Sequence, residues 1–233
     1  MGISPEQEIA LGLQAAPEMI QEFGGMDADP QAQAVVDRVC ERLVNNSVAS
    51  DTDWPFECSL LADSQTINAF ALPGGQLFIT AALYDRLETE GQLAGVMAHE
   101  IGHVVARHSA QQIAKQELTQ GLTGAAVIAS YDPQNPASQQ TAQIAAVIGQ
   151  LVNMKFGRDD ELQSDRLGVQ LMSDAGYDPR SMIDVMQILA EASQGNQPPE
   201  FFSTHPNPEN RIARIEEAIQ AEFPNGVPAG LDQ

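Results

Sequence analysis

The feature that most constrains this chain is a five-residue pattern, His99-Glu100-Ile101-Gly102-His103. On an α-helix each residue advances about 100°, so positions i and i+4 differ by only about 40° and both imidazoles project from one face toward a common point. A fold that uses the pair must keep this segment helical and turn that face toward a further donor. Glu100 sits about 60° from His103 on the same helix, where its carboxylate reaches a water beside a bound ion without displacing it. The competing reading is two core histidines satisfied by ordinary hydrogen bonds.

A catalytic zinc takes three protein donors and keeps one position open. Glu161-Leu162-Gln163-Ser164-Asp165, beginning fifty-eight residues after His103, offers the third donor. Its i, i+4 spacing again places two carboxylates on one helical face. The expectation is that His99, His103 and Glu161 hold one Zn2+, that Glu100 is the general base, and that Asp165 accepts the free N–H of His99. The alternative for the acidic pair is a solvated helix face. His108 is five residues past His103, turned away by about 140° on a continuous helix, which predicts a structural role. His205, stiffened by Pro206, is expected to lean into the cleft, hydrogen-bonding an oxyanion or taking the open position on the metal. Its alternative is a loop histidine that caps the last helix.

The rest of the chain predicts an α+β fold, predominantly helical with a small mixed β-sheet, in a single domain spanning 1–233. Two helices are expected within residues 1–50, from Pro5 to Ala16 and from Asp29 to Asn45, with Asp29-Pro30 as cap and first turn. Short apolar runs at Phe56–Leu61, Ile67–Leu72 and Gln76–Thr80, turned by Pro73-Gly74-Gly75, predict the sheet. Helical spacing from about Glu88 to Leu118 predicts one long helix, so that residues 55–118 carry the sheet and the histidine pattern. A low-charge stretch, 119–157, reads as a helical hairpin packed between helices, with a membrane-touching or partner-docking hairpin as the alternative. Residues 158–222 supply the third-donor helix, stopped by Gly176 and Pro179, and helices near Ser181–Ala192 and Pro208–Ala221. The tail 223–233 is expected to be loose.

Thirty-two acidic residues against eleven basic ones, of which only Lys115 and Lys155 are lysines, leave a net charge of −21. Such a field repels nucleic acid and anionic membrane surfaces. A solvated acidic surface accounts for it, and adaptation to high salt is a sharper version of the same idea. The longest apolar stretches fall short of the roughly 20 residues that span a bilayer, so no transmembrane segment is expected. Cys40 and Cys58 show no metal-binding spacing and are open to two readings, a disulfide or two reduced core thiols. The N-terminal residues lack the basic and apolar regions of a secretory signal, which fits either a cytoplasmic chain or part of a processed precursor.

Together these residues resemble the HtpX-like metallopeptidases of peptidase family M48, relatives of the CAAX prenyl endopeptidases, and are closest to the soluble bacterial members. The similarity runs through Asn68-Ala69-Phe70-Ala71-Leu72-Pro73-Gly74-Gly75 and Leu93 to His103, and continues at Glu161 to Gly168, Ala175 to Pro179 and Ser203 to Ile212. The resemblance implies a gluzincin-type fold, a zinc cofactor, and an edge strand with Asn68 and Ala69 that binds extended peptide. It also implies a periplasmic or envelope location. The function expected is a zinc-dependent endopeptidase that hydrolyses unfolded or damaged polypeptides in envelope protein quality control. From another class comes the alternative, a zinc-stabilised, chaperone-like binding module whose occluded site rarely cuts.

Overall fold

Capping chemistry sets the first two helices of the computed structural model, which describes residues 3–120, 154–194, 199–206 and 210–233. Ser4 opens α1 (Pro5–Glu22) with a capping box, its hydroxyl accepting from the Gln7 N–H while Gln7 Oε1 accepts from the Ser4 N–H at 2.8 Å. Asp29 caps α2 (Pro30–Asn45), its carboxylate accepting from the Gln31 N–H at 2.8 Å. A 3₁₀ turn, Val48–Asp51, leads into the sheet.

Among the described residues three strands pair, β1 (Glu57–Leu61), β2 (Ala69–Ala71) and β3 (Gln76–Thr80), in the order β1-β3-β2. Central β3 runs parallel to β1 and antiparallel to β2, so the sheet is mixed as the sequence predicts. Between β2 and β3 the chain reverses through Gly74 and Gly75, at φ of 83° and 105°. All five β3 residues are buried, and the period-2 alternation splits them between two cores. Leu77 and Ile79 join the main core, whereas Phe78 packs with Leu11, Met19 and Phe23 beneath α1.

The expected long helix is two. After the short α3 (Ala81–Tyr84), α4 (Glu90–Val105) ends where Arg107 takes a left-handed φ of 59°, and α5 (His108–Gln120) starts in a new direction. A tie to the N-terminal segment holds the break. Arg107 Nε donates to Glu8 Oε1 at 2.6 Å and Nη2 donates to the Ile3 carbonyl at 2.8 Å. Helical periodicity registers the apolar face on both sides of such a break but not the break itself.

The later helices are α6 (Arg158–Asp174), α7 (Ser181–Ala192), α8 (Phe201–Thr204) and α9 (Arg211–Glu222). α4 is buried from Gly91 to Val104, at the centre of a core built with α2, the sheet, α6, α7 and α9. α6 crosses α4 closely enough that a Cβ on Gly102 would lie 2.7 Å from Ser164 Oγ. Cys40 on α2 and Cys58 on β1 are disulfide-bonded, with Cα atoms 6.3 Å apart, which settles the two readings of that pair.

The tail departs from expectation. Asp232 forms a parallel bridge with Tyr177, its N–H donating to the Gly176 carbonyl at 3.1 Å and its carbonyl accepting from the Asp178 N–H at 2.8 Å. Its carboxylate also pairs with Arg42 at 2.7 Å. Among the described residues no helix is long and apolar enough to cross a membrane. Of the hairpin expected at 119–157, residues 121–153 lie outside the described ones.

Candidate metal centre

Three elements converge. α4 presents His99, Glu100 and His103, the first turns of α6 present Glu161 and Asp165, and His205 caps the C-terminus of α8. His99 Nε2 lies 3.1 Å from His103 Nε2 and 3.5 Å from Glu161 Oε2, and His103 Nε2 lies 3.3 Å from Glu161 Oε1. His205 Nδ1 completes the cluster, 3.1 Å from Glu161 Oε1 and 3.4 Å from His99 Nε2. One donor atom from each of the four residues lies within 4.8 Å of all the others, and all four are buried. The i, i+4 geometry read from sequence thus operates on both helices.

Neighbouring groups fix which ring nitrogens face the cluster. His99 Nδ1 is 2.9 Å from Asp165 Oδ1, an acceptor, so Nδ1 carries a proton and, in the neutral ring that a metal requires, Nε2 turns its lone pair inward. His108 Nε2 lies 3.3 Å from Gln163 Oε1 and donates to it. Its Nδ1 then accepts from His103 Nδ1, 2.9 Å away, and His103 Nε2 is left bare toward the cluster. His108 thus contacts His103 directly, which the orientation expected on a continuous helix excluded. The turn at Arg107 folds it back onto His103.

Arg211, at the start of α9, was not anticipated. It is 2% exposed. Nε donates to Asp165 Oδ2 at 2.8 Å and Nη2 to Asp165 Oδ1 at 2.9 Å, while Nη1 lies 3.1 Å from Glu161 Oε2 without aligning to hydrogen-bond. Nothing in spacing or local charge separates Arg211 from the other arginines. Its one signal was a position inside the stretch, Ser203 to Ile212, that carries the family resemblance.

The residues fit a divalent cation. Glu100, Glu161 and Asp165 are at most 1% exposed and meet a single buried guanidinium, so neutral histidines leave two negative charges unbalanced. Both Glu100 oxygens, Glu161 Oε2 and His205 Nε2 are buried without hydrogen-bond partners among the described residues, which is costly unless a further ligand satisfies them. Two imidazoles and a carboxylate are also the donor set of catalytic zinc sites.

The titration behaviour agrees. Burial opposes charge on Glu161, yet His205, His103 and His99 hold its carboxyl far below the usual range. Burial likewise opposes charge on Asp165, but Arg211 and the His99 hydrogen bond prevail and take it down to about 2. Burial pushes His103 well below the ordinary imidazole value. For His99, burial and Arg211 favour the neutral ring, but Asp165 and Glu161 outweigh them and raise it to about 9. A proton on His99 thus partly meets the charge demand that a cation would meet in full.

Asn68 reaches the cleft from the sheet, whereas Ala69 is buried in the main core. Ala69 pairs with Ile79 at the start of the edge strand β2, and Asn68, 4% exposed, has an Oδ1 without a hydrogen-bond partner among the described residues. Both Asn68 and His205 line a cavity of about 280 Å³.

Comparison with known proteins agrees with this construction. The model of "Peptidase family M48" matches residues 30–219. The beta-barrel assembly-enhancing protease of Escherichia coli (strain K12) is 31% identical over 91% of this chain and 45% of its own length. That of Yersinia pestis is 34% identical over 91% of this chain and 43% of its own. The mitochondrial metalloendopeptidase OMA1 of Schizosaccharomyces pombe is 33% identical over 92% of this chain and 62% of its own. This chain thus spans less than half the length of the two bacterial relatives. A family match across most of the chain, over a centre of two histidines and two glutamates on crossed helices, shows that the chain belongs to peptidase family M48.

Proposed function

We propose that this chain is a zinc-dependent endopeptidase that cuts unfolded or damaged polypeptides within the cell envelope. The observation that carries the reading is the convergence of His99, His103 and Glu161 around two unbalanced negative charges, with Glu100 beside them. The three would hold the ion, which when bound supplies polarisation of a water and of the scissile carbonyl.

Glu100 has the position of a general base. Both its oxygens are buried and unpartnered, so it can take the proton of the attacking water and return it to the departing amine. Asp165 and His108 hold the two imidazoles with their bare nitrogens inward. His205 Nε2, 3.6 Å from Glu100 Oε1 and without a hydrogen-bond partner among the described residues, would donate to the developing oxyanion. Edge strand β2, with Asn68 and Ala69, supports an extended substrate through backbone pairing. The Cys40–Cys58 bond supports an oxidising compartment and hence the envelope.

Incubating the zinc-loaded protein with casein tests the reading. New fragments should appear, vanish with a chelator, and vanish in Glu100→Gln while its melting temperature and zinc content persist. Cleavage by Glu100→Gln at the parental rate would remove Glu100 from the chemistry.

A second reading is favoured by His205 Nδ1, which sits among the metal-facing atoms 3.4 Å from His99 Nε2. On that reading the site is closed and the chain is a zinc-stabilised binding module. It predicts that casein is retained by the zinc-loaded protein and stays intact.

A further inference from the structure

The cavity beside His205 has a chemical character that the hydrolytic centre does not require. Phe23, Phe70, Met154 and Phe156 form apolar wall, while Glu22, Asp63 and Glu200 add three carboxylates, and no lysine or arginine is found among its described lining residues. Glu22 and Glu200 are exposed and so stand at the mouth. Asp63 is held in place because its Oδ1 accepts from the Gln65 and Thr66 N–H groups, at 2.7 and 2.9 Å. One further group points to a ligand inside. Asn68 Oδ1 is a buried acceptor without a hydrogen-bond partner among the described residues, on a residue lining the same cavity.

An apolar shaft with carboxylates at its mouth suits a side chain that has a long apolar stem and a cationic head. We infer that this cavity is a specificity pocket for lysine or arginine in the bound polypeptide, with Glu22, Asp63 and Glu200 as the residues that select the charge. The inference takes from the reading above only that the ligand is an extended polypeptide. At about 280 Å³ the space accommodates one long side chain rather than a folded segment. Backbone pairing along β2 leaves sequence unread, so discrimination falls to such pockets.

The test is equilibrium binding of dansyl-labelled peptides, built from Ala, Gly and Leu with one central Lys, norleucine or Glu. Zinc-loaded Glu100→Gln protein serves for binding, and the parent protein is assayed for cleavage in parallel. The Lys peptide is expected to bind about tenfold more tightly than the Glu peptide, from several partly exposed charge pairs acting together. The triple variant Glu22→Gln, Asp63→Asn, Glu200→Gln should bring the peptides within about twofold of one another. Asn at position 63 keeps the oxygen that accepts from the turn.

The control triple variant Glu41→Gln, Asp174→Asn, Glu216→Gln makes the same change in net charge at exposed positions outside the cavity lining and should keep the preference. Equal binding of the three peptides, or equal loss of preference in both triple variants, overturns the inference and leaves the protease reading intact. Selective binding that survives in the control, without any cut peptide, sinks the protease reading and upholds the pocket.

Discussion

Arg211 grips Asp165 through a two-point fork, Nε to Oδ2 at 2.8 Å and Nη2 to Oδ1 at 2.9 Å, across the gap between α9 and α6. The opposite face of that carboxylate holds His99 Nδ1, so the guanidinium fixes an imidazole of the four-residue cluster at one remove. Arg211→Lys keeps the charge and loses the fork. Zinc affinity, titrated against a competing chelator, should drop about 10- to 100-fold. Arg211→Met leaves buried carboxylates uncompensated and should cost about 3–5 kcal/mol in urea unfolding. Parental zinc affinity in Arg211→Lys would mean that Asp165 needs no orienting partner.

Acid should loosen the metal-stripped protein through Asp165. Its folded pKa, about 2, is depressed below the ordinary carboxylate value, so its contribution is present above about pH 4 and fades as pH falls toward 2. The loss should be about 2 kcal/mol, and Asp165→Asn should flatten that limb of a urea-midpoint profile.

At the alkaline end His99 has the opposite sign. Its folded pKa is raised to about 9, so the stabilisation is full below the ordinary imidazole value near 6.5 and is lost as pH climbs through 9. Zinc requires the neutral ring, so loading at pH 7.5 should release about one proton per chain. Calorimetry in buffers of different ionisation enthalpy reads the number directly, and zero release would contradict the charge balance drawn for the site.

Gly102→Ala should separate the crossed helices. Its Cβ would meet Ser164 Oγ at 2.7 Å and the Ser164 carbonyl at 2.9 Å, and the carbonyl cannot retreat without shifting α6. A cost of about 1–3 kcal/mol is expected from overpacking. Zinc affinity should fall with it, because Glu161 rides on the displaced helix. A variant that melts and binds zinc like the parent would show that the crossing has slack.

Reduction of Cys40–Cys58 is expected to lower stability by about 3 kcal/mol, as its eighteen-residue separation implies. Cleavage per folded molecule should not change, since neither sulfur touches the metal cluster. Equal urea midpoints with and without reductant would show that packing alone holds α2 to β1.

Much of this arrangement is written in local chemistry. Strand β3, the Asp29 cap and the α7 boundaries follow from a short apolar run, capping residues and periodicity, which act over a few residues. The meeting of Glu161 with His99 and His103 follows from donor chemistry, because a zinc site demands a third ligand. What stayed hidden depends on distant partners. The bend at Arg107 answers to Glu8 and Ile3, the burial of Arg211 answers to Asp165, and the docking of Asp232 answers to Gly176 and Asp178. Each is a long-range pairing of a polar group, and no window of neighbouring residues contains both halves.

The short strand β2 lies at the rim of its sheet, one side bonded to β3. A protein already folded has committed its amides to its own neighbours and has none to lend. On the proposed reading, then, such a protease needs no emblem of damage to read. It is limited to chains whose backbone is still unclaimed, and a client escapes simply by finishing its own assembly.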